Sequence, residues 1–488
     1  MTVNEQTLQL GMRFGTAENP KGSVGAAAMG EPGAAACAVP KPNSKEQKAA
    51  SATMEEVCKR LTYALNNVAA NRGAPGPDRM SVEQVREHWR ELEPALRVAL
   101  LTGTYEPGNI RRVWIPKANG GQRGLGIPNV VDRVVQEAIR LVLEPLYEPT
   151  FHEASHGFRP GRSCQTAIKA AYKYVDEGFE WVVDLDVEKF FDRVNHQRLM
   201  ARLAQRVDNH ALLLLISKML KAKVVMPDGV VVSTSEGVPQ GGPLSPLLSN
   251  IVLDELDQEL ERRGHRFVRY ADDCNIYVRS ERAGQRAMAS IAGFIEKRLR
   301  LKVNAAKSAV ARPEERHFLG FRLRREPMDG RVEVLLSKRS KERIGSRIRE
   351  LTPRNWGQSL TSCIKALNTY LVGWIGFFAI CTAGVQQTLG ALDAHIRRRL
   401  RAILLRHWKT KRSTARKLIQ LGVKPKTAWR HSYAGRQRRW AMSHNPAVHQ
   451  GLRNAYFAER GLVSLSKRWE RLGKYIGAPG EQLLLTQG

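Results

Sequence analysis

The sequence has little cysteine and no long apolar run, and both scarcities limit the classes of protein it can belong to. Its 488 residues include six cysteines, and none of them has the Cys-x-x-Cys spacing of a structural zinc site, so we predict no zinc. Scattered cysteines are typical of a reducing compartment, which predicts a cytoplasmic protein. No stretch reaches about 18 apolar residues, so no membrane span is expected. The N-terminus also lacks the pattern of a signal peptide.

Acidic residues are scarce relative to basic ones, and the imbalance is uneven along the chain. The formal net charge is +31 and the isoelectric point is near 10.3. Residues 331–488 contain 31 Lys and Arg against 7 Asp and Glu, a net charge of +24. A surplus this concentrated predicts a polyanionic partner, and nucleic acid is the most common one.

The chain divides into segments of different character. Residues 1–50 are rich in Gly, Ala, Pro and Ser and are predicted to be disordered. Helical patterning begins near Met54, and helical and strand patterns then alternate to about residue 325, as in a mixed α/β domain. From Ser337 onward the pattern is helical and basic, with an apolar stripe along a helix predicted over 391–409. A less regular tail is expected after Pro425.

Two adjacent carboxylates, Asp272 and Asp273, stand between two short apolar runs. The runs before and after them predict a β-hairpin with both acids at its tight turn. Adjacent carboxylates repel each other unless a cation lies between them, and Mg²⁺ prefers oxygen ligands. A solvated bend is the alternative that this segment alone leaves open.

A second acidic segment, 181–192, strengthens the metal interpretation. Alternation predicts a strand with Trp181 and Val183 on one face and Asp184 and Asp186 on the other. An acid at the end of this strand can meet the acids of the hairpin. Three acids from two strands can hold two Mg²⁺ ions about 3.5–4 Å apart, which is the arrangement of nucleotidyl transfer.

The order of the motifs resembles that of bacterial group II intron-encoded reverse transcriptases and maturases. The resemblance covers about nine-tenths of the chain, from Met54 onward. It rests on the segments 115–117, 123–128, 132–136, 155–161, 186–192, 237–246, 270–273 and 318–321, and on 368–370 and 373–378 in the basic third.

The resemblance implies an α/β right-hand polymerase fold with fingers, a palm and a C-terminal helical thumb or maturase region. The implied divisions are a disordered segment 1–50, fingers 51–155, palm 156–328, thumb and maturase 335–422 and a basic nucleic-acid-binding extension 423–488; the reverse transcriptase domain spans about 95–325. Implied partners are group II intron RNA, a DNA target or primer, and deoxynucleoside triphosphates. The implied location is the bacterial cytoplasm, in ribonucleoprotein at the nucleoid.

Several residues match functional positions of that family. Asp186, Asp272 and Asp273 match its catalytic acids, and the backbone carbonyl of Val187 matches a further metal ligand. Asp184, the rival acid on the same strand face, is interpreted as a salt-bridge partner. Phe191 matches the ring that excludes a ribose 2′-hydroxyl, with core packing as its alternative.

The resemblance also implies a nucleotide-binding set. Lys117 and Arg123 flank a Gly-rich turn that can bring both cations to a triphosphate, with surface charges as the alternative. Gly124 replaces a common proline there, which is expected to loosen the turn. Gln240 lies in a loop expected near the incoming base, and Lys307 matches a lysine that neutralises pyrophosphate or remains a solvated charge.

Candidate contacts with RNA or DNA are all arginines. Arg159 is expected to contact template backbone or to form a structural ion pair. The others lie in the basic third, where bidentate pairing with phosphate favours arginine: Arg397, Arg398, Arg401, Arg436, Arg438 and Arg439. Many relatives end in an endonuclease with paired cysteines; no such pattern follows Trp440, so none is expected here.

Two rival functions stay open at this point. The chain could be a splicing cofactor with a vestigial polymerase site, although the intact acids, Lys117, Arg123 and Gln240 argue for catalysis. It could also be a related polymerase recruited to host defence or sequence diversification, although the maturase-like third argues against that.

Overall fold

The computed structural model describes residues 52–116, 120–353, 355, 357–434 and 438–476. The described chain opens with short helices that pack beneath a long one. Thr53 and Ser81 cap two of these helices by accepting hydrogen bonds from backbone N–H groups of the first turn. The helices up to residue 220 are Met54–Lys59, Leu61–Ala70, Val82–Glu87, Trp89–Leu101, Val130–Tyr147, Cys164–Asp176, Phe190–Arg193, His196–Leu203 and His210–Leu220, with a 3₁₀ turn at Glu148–Thr150.

A small sheet is built on an antiparallel hairpin. Its strands are β1 (Ile110–Pro116), β2 (Gln122–Ile127), β4 (Val224–Val225) and β5 (Val231–Val232), in the order β2-β1-β4-β5. Strands β1 and β2 pair from Arg111 opposite Ile127 to Pro116 opposite Gln122. This hairpin carries Arg123, one of the predicted nucleotide-binding cations.

A second sheet lies at the centre of the described chain. It contains β3 (Trp181–Leu185), β6 (Arg266–Tyr270), β7 (Asp273–Val278) and β8 (Ala309–Ala311), all antiparallel, in the order β6-β7-β3-β8. Val183 and Leu185 face one hydrophobic core, whereas Val182 and Tyr277 face another. Because both faces are buried, the strands have little freedom to shift register.

A long helix follows the 237–246 loop and packs against the central sheet. It spans Ser245–Arg262 and buries Leu248, Val252, Leu256 and Leu260 along one face, as their spacing predicts. The next helix, Glu281–Phe294, continues into a π-helical turn at Ile295–Leu299.

The basic third is helical and shares the second core with the central sheet. Strands β9 (Phe321–Arg325) and β10 (Val332–Leu336) form a hairpin that leads into it. The helices that follow are Lys338–Leu351, Leu360–Phe377, Gln386–His407, Lys411–Gln420, Pro425–Tyr433, Arg439–Met442, Pro446–Gly451, Asn454–Ala458 and Leu465–Leu472, with a 3₁₀ turn at Ala383–Val385.

One expectation for this third was wrong. The arginine-bearing helix spans Gln386–His407 rather than 391–409, because Trp408 already serves as its C-cap. In residues 425–434 and 438–476, the tail expected to be less regular forms five short helices, and Phe457 and Trp469 are buried there. In the described ranges, no helix combines the length and the apolar character needed to cross a bilayer.

Candidate active site

The predicted hairpin with two acids at its turn is confirmed. Strand β6 ends at Tyr270, strand β7 begins at Asp273, and these two residues pair across the hairpin. Ala271 and Asp272 form the two-residue turn between them. Ala271 has a φ of 56°, a left-handed conformation that residues with a Cβ atom adopt uncommonly. The turn is therefore fixed by its surroundings rather than by the preference of its own residues.

Asp186 follows the end of β3, next to that hairpin. Strands β3 and β7 are antiparallel with Leu185 opposite Cys274, so the register continues to Asp186 opposite Asp273. The backbone N–H of Asp186 donates to Ser308 Oγ at 3.0 Å, and its carbonyl accepts from Asn304 N at 2.8 Å. Three carboxylates thus come from the same end of two adjacent strands.

The backbone of Val187 has the direction that its predicted role needs. The N–H and C=O of Asp186 both face the β8 side, where Ser308 and Asn304 lie. Because these groups alternate in direction along an extended chain, the carbonyl of Val187 faces away from the β8 side. The Val187 side chain is buried in the core, and the Val187 backbone forms an isolated β-bridge with Val303.

Burial and mutual repulsion make the hairpin acids hard to ionise together. Burial, followed by the charges of Asp272, Asp184 and Asp186, raises the pKa of Asp273 to about 7. Burial likewise raises the pKa of Asp272, and Arg123 opposes that rise. Such a concentration of carboxylates favours a cation.

A lysine supplies one positive charge at this site. Lys307 Nζ lies 3.3 Å from Asp186 Oδ2, and its charge opposes the raised pKa of Asp273.

In the part of the chain that the structure describes, no three His, Cys, Asp or Glu side chains are arranged closely enough to hold a metal ion as they stand. The donor set of Asp186, Asp272, Asp273 and the Val187 carbonyl consists of oxygens only, which suits Mg²⁺ chemically.

Asp184 forms the salt bridge that its sequence position suggested. Arg316 Nε donates to Asp184 Oδ2 at 2.8 Å, and Nη2 donates to the same oxygen. Arg316 Nη2 also donates to the backbone carbonyl of Lys307 at 2.8 Å. Asp184 therefore anchors the Lys307 segment through Arg316, while its charge adds to the field around Asp273.

The strand hairpin β1–β2 brings a cation toward the acids. Arg123 is exposed on β2, and its charge acts on Asp272. Lys117 lies outside the described residues. The expectation that Gly124 loosens the turn was wrong, because Gly124 lies within β2 opposite Trp114. A Cβ atom there would lie 2.4 Å from Arg112 Nη1 and 3.0 Å from the Trp114 ring.

Phe191 and Gln240 are connected through the loop between them. Val238 N donates to the Phe191 carbonyl at 2.6 Å, and Gly126 N donates to the Gln240 carbonyl at 2.7 Å. The two side chains are both half-buried, and the Phe191 ring packs against the first core. The loop thus links the segment after β3 to the β1–β2 hairpin.

Two family descriptions match the chain. Reverse transcriptase (RNA-dependent DNA polymerase) matches residues 115–323, and group II intron, maturase-specific domain, matches residues 341–421. Protein YkfC of Escherichia coli (strain K12) is 32% identical over 345 residues, which cover 62% of this chain and 88% of that protein. The chain belongs to the group II intron-encoded reverse transcriptase and maturase family. By this membership it is an RNA-directed DNA polymerase with a mixed α/β catalytic region and a helical maturase region.

A further relative and one solved structure are similar to parts of this reverse transcriptase. Group II intron-encoded protein LtrA of Lactococcus lactis subsp. cremoris is 38% identical over 203 residues, or 40% of this chain and 32% of that protein. The match therefore spans about a third of the length of LtrA. The solved structure of telomerase from Candida albicans aligns with a TM-score of 0.45 at 15% identity, covering 78% of this chain and 68% of that chain.

Arg159 of the reverse transcriptase is a structural cation. It is 6% exposed, and its Nε donates to Glu148 Oε1 at 2.9 Å. Its Nη1 donates to the carbonyls of His152 and Ser155. The expectation that Arg159 contacts template backbone was wrong, because its donors are directed into the protein; its alternative, an ion pair, is what the structure shows.

The predicted arginines of the basic third fall into different environments. Arg401 was predicted to contact nucleic acid, but it is 4% exposed and donates to the Leu452 carbonyl at 3.0 Å, so that prediction was wrong. Burial, with the charge of Arg397, lowers the pKa of Arg401 to about 10. The Arg398 guanidinium lies 4.2 Å above the ring of Trp440.

The remaining arginines differ in how accessible their guanidinium groups are to a ligand. Arg397 is half-buried and Arg438 is exposed. Arg439 donates to the carbonyl of Lys409, which joins two helices of this third. Arg436 lies outside the described residues.

One buried residue of the site, Arg269, was not predicted from the sequence. It lies on β6, and its side chain reaches the turn that carries the acids. An arginine in an otherwise apolar run directly before Tyr270 was the available signal. A charge in a strand buried on both faces requires partners, and it therefore indicates a polar network.

Proposed function

We propose that this reverse transcriptase synthesises DNA on group II intron RNA by two-metal nucleotidyl transfer. Asp186, Asp272, Asp273 and the Val187 carbonyl are the groups that hold two Mg²⁺ ions. When bound, such ions would increase the nucleophilicity of the primer 3′-hydroxyl and neutralise the charge of the leaving pyrophosphate. The observation that carries the proposal is the register of β3 and β7: their last pair is Leu185 opposite Cys274, and Asp186 and Asp273 are the next residues beyond that pair on the two strands.

Cations near the acids support the binding of a nucleoside triphosphate. Arg123 projects from β2 and acts electrostatically on Asp272, while Lys307 contacts Asp186. Lys117 completes this set in the proposal. A triphosphate between these cations would be held by charge-assisted hydrogen bonds, and phosphoryl transfer depends mainly on such positioning.

Phe191 and Gln240 are proposed to select the nucleotide. Since the Phe191 carbonyl accepts a hydrogen bond from Val238 N, the Phe191 ring cannot easily move away from a sugar placed against it. A rigid, packed ring excludes an added 2′-hydroxyl because the surrounding core does not yield. The backbone of Gln240 is held by the hydrogen bond that its carbonyl accepts from Gly126 N, and in this proposal the Gln240 side chain contacts the incoming base and the template.

The basic third is proposed to bind intron RNA and to assist splicing and mobility. Trp429 and Tyr433 lie one turn apart on one helix, both are exposed, and their rings are 5.7 Å apart. Lys411 Nζ lies 5.6 Å from the Tyr433 ring. Exposed aromatic rings beside cations can stack unpaired bases while the cations contact phosphate. Together with Arg397, Arg398 and Arg438 they form the proposed RNA surface, in a cytoplasmic ribonucleoprotein that also meets the DNA target.

Primer extension on a group II intron RNA template tests the polymerase half of this proposal. The Asp186→Ala variant should lose extension completely and retain RNA binding. Glu188→Gln is the matched control, because Glu188 is two residues away and pairs with Arg193 at 3.0 Å outside the acid cluster. Normal extension by Asp186→Ala would contradict the assignment.

A splicing assay tests the maturase half and separates it from catalysis. The Asp272→Asn and Asp273→Asn variants should stop DNA synthesis while intron splicing continues. Crosslinking to cellular RNA should recover one structured intron. Diffuse recovery across many RNAs would leave the polymerase without the proposed maturase role.

A further inference from the structure

Arg269 lies at the centre of a buried network in which all five of its N–H donors are used. The side chain is fully buried, as is that of its ion-pair partner, Asp257. Nε donates to Asp257 Oδ1 at 2.7 Å, and Nη2 donates to Asp257 Oδ2 at 2.5 Å and to Ser155 Oγ at 2.7 Å. Nη1 donates to Asn250 Oδ1 at 3.0 Å and to the Ala271 carbonyl at 2.9 Å.

The bond to the Ala271 carbonyl connects this network to the acids. Ala271 has a φ of 56°, a left-handed conformation that is sterically unfavourable for a residue with a Cβ atom. Arg269 therefore stabilises a conformation that Ala271 would otherwise leave. A change at this turn would move Asp272 and Asp273 relative to Asp186.

The other side of the turn is held by Gly157. A Cβ atom on Gly157 would lie 2.2 Å from the backbone nitrogen of Ala271, so the two backbones are in close contact. The Gly157 carbonyl accepts from Asn250 Nδ2 at 2.9 Å, and Asn250 is also a partner of Arg269. The turn is thus clamped between Gly157 and the Arg269 side chain.

Stability alone is a weak reason to bury this ion pair. Removing two charges from water costs several kcal/mol per ion, and apolar residues of similar volume often serve a core as well or better. We propose that Arg269, with Asp257 and Asn250, is a positioning group that sets the separation of Asp272 and Asp273 from Asp186. It lies behind the turn, so it is not a catalytic residue. The inference rests on the proposed two-metal chemistry.

The test uses a double variant of the full chain, Arg269→Met with Asp257→Leu. It removes both charges together and keeps the apolar volume, so no unpaired charge stays buried. The expected RNA affinity is close to that of the wild type, whereas the thermal midpoint falls, because buried Asn250 Oδ1 and the Ala271 carbonyl lose their donor. The expected kcat for primer extension falls by about tenfold to 100-fold, because a misplacement of about 1 Å can cost that much. The Mg²⁺ concentration for half-maximal rate should rise.

A matched control removes a largely buried ion pair on another helix. Arg140 Nη2 lies 2.8 Å from Glu137 Oε1 on the helix Val130–Tyr147, and both side chains are largely covered. The double variant Arg140→Met with Glu137→Leu should keep the wild-type Mg²⁺ dependence. An equal shift in this control would assign the effect to general loosening of the fold and overturn the inference.

A rescue variant distinguishes a positioning role of the Arg269 network from a purely stabilising one. Glycine adopts the left-handed conformation without the steric cost. The Ala271→Gly change, added to Arg269→Met with Asp257→Leu, should therefore recover part of the lost kcat and lower the Mg²⁺ requirement. Absence of any recovery would contradict the proposed action through the turn.

A single variant keeps the inference testable if the double variant does not fold. Asn250→Ala leaves the Arg269–Asp257 pair intact and removes the link to Gly157. It should raise the Mg²⁺ requirement at unchanged KM for primer–template. If Asn250→Ala keeps the Mg²⁺ dependence of the wild type, the inference about Arg269 is overturned and the proposed function is unaffected. If the wild-type chain shows no primer extension, the proposed function itself is overturned.

Discussion

Lys307 Nζ lies 3.3 Å from Asp186 Oδ2, so an ammonium group stands beside the first of the three acids. The Lys307 side chain is 63% exposed, which leaves it free to move. A divalent cation bound at Asp186 would repel this ammonium. Metal binding is therefore expected to release Lys307 toward the triphosphate, where its charge is needed next.

The first prediction concerns the competition between Lys307 and metal. In Lys307→Ala, Mn²⁺ should bind the nucleotide-free protein more tightly, by about fivefold at most, since an exposed ion pair contributes up to about 1 kcal/mol. The KM for deoxynucleoside triphosphate should rise. Lys302→Ala is the control, because Lys302 is equally exposed and pairs with Glu188 at 3.8 Å. Equal Mn²⁺ affinity in both variants and the wild type would refute the competition.

The second prediction concerns pH. Asp273 has a pKa raised to about 7 by burial and by the charges of Asp272, Asp184 and Asp186, and it must lose its proton to hold a metal. Activity should therefore rise as the pH passes through about 7. Asp184→Asn removes one of the charges that raise this pKa, so the acidic limb of the pH profile of kcat should move to lower pH. If the acidic limb of the kcat profile stays at the same pH or moves to higher pH, the ionisation of Asp273 does not determine that limb.

The third prediction concerns the contact between Gly157 and Ala271. Gly157→Ala places a Cβ atom 2.2 Å from Ala271 N, so the turn has to shift. Overpacking of this kind costs about 1–3 kcal/mol of stability, and primer extension should be lost. In Gly293→Ala, by contrast, no atom lies within 4 Å of the added Cβ, and a small gain in thermal stability is expected. Thermal melts and extension assays on both variants decide the point; an active Gly157→Ala enzyme would be inconsistent with the close contact.

The fourth prediction separates two arginines of the basic third. Arg438→Ala should weaken binding of intron RNA and reduce the salt slope of the affinity by about one, as loss of a phosphate contact does, with no change in thermal midpoint. Arg401→Ala should instead lower the thermal midpoint, because it leaves the buried Leu452 carbonyl without its donor. Binding titrations at several salt concentrations measure the difference. The reverse pattern would show that burial does not distinguish their roles.

The sequence was sufficient to predict features that depend on local pattern. The alternation in 181–187 indicated a strand with Asp186 at its end, and the apolar runs around Asp272 and Asp273 indicated a hairpin, because period-2 patterns report which face is buried. The order of motifs then identified the family.

Features that depend on tertiary partners could not be predicted in this way. Arg159 and Arg401 resemble surface arginines in sequence, and only the positions of Glu148 and the Leu452 carbonyl show that they are buried donors. The Arg269 network needs Ser155, Asn250 and Asp257 from distant segments. The short helices after Pro425 span too few turns to give a clear periodic signal.

Counting bound Mn²⁺ by electron paramagnetic resonance tests the central claim most directly. With primer–template and a non-hydrolysable nucleotide, the wild-type chain should hold two ions, as a two-metal site requires. Asp186→Ala should lose at least one of them, while Glu188→Gln should keep both. The same number of tightly bound ions in Asp186→Ala and the wild type would contradict the claim that Asp186 shares metal with Asp272 and Asp273.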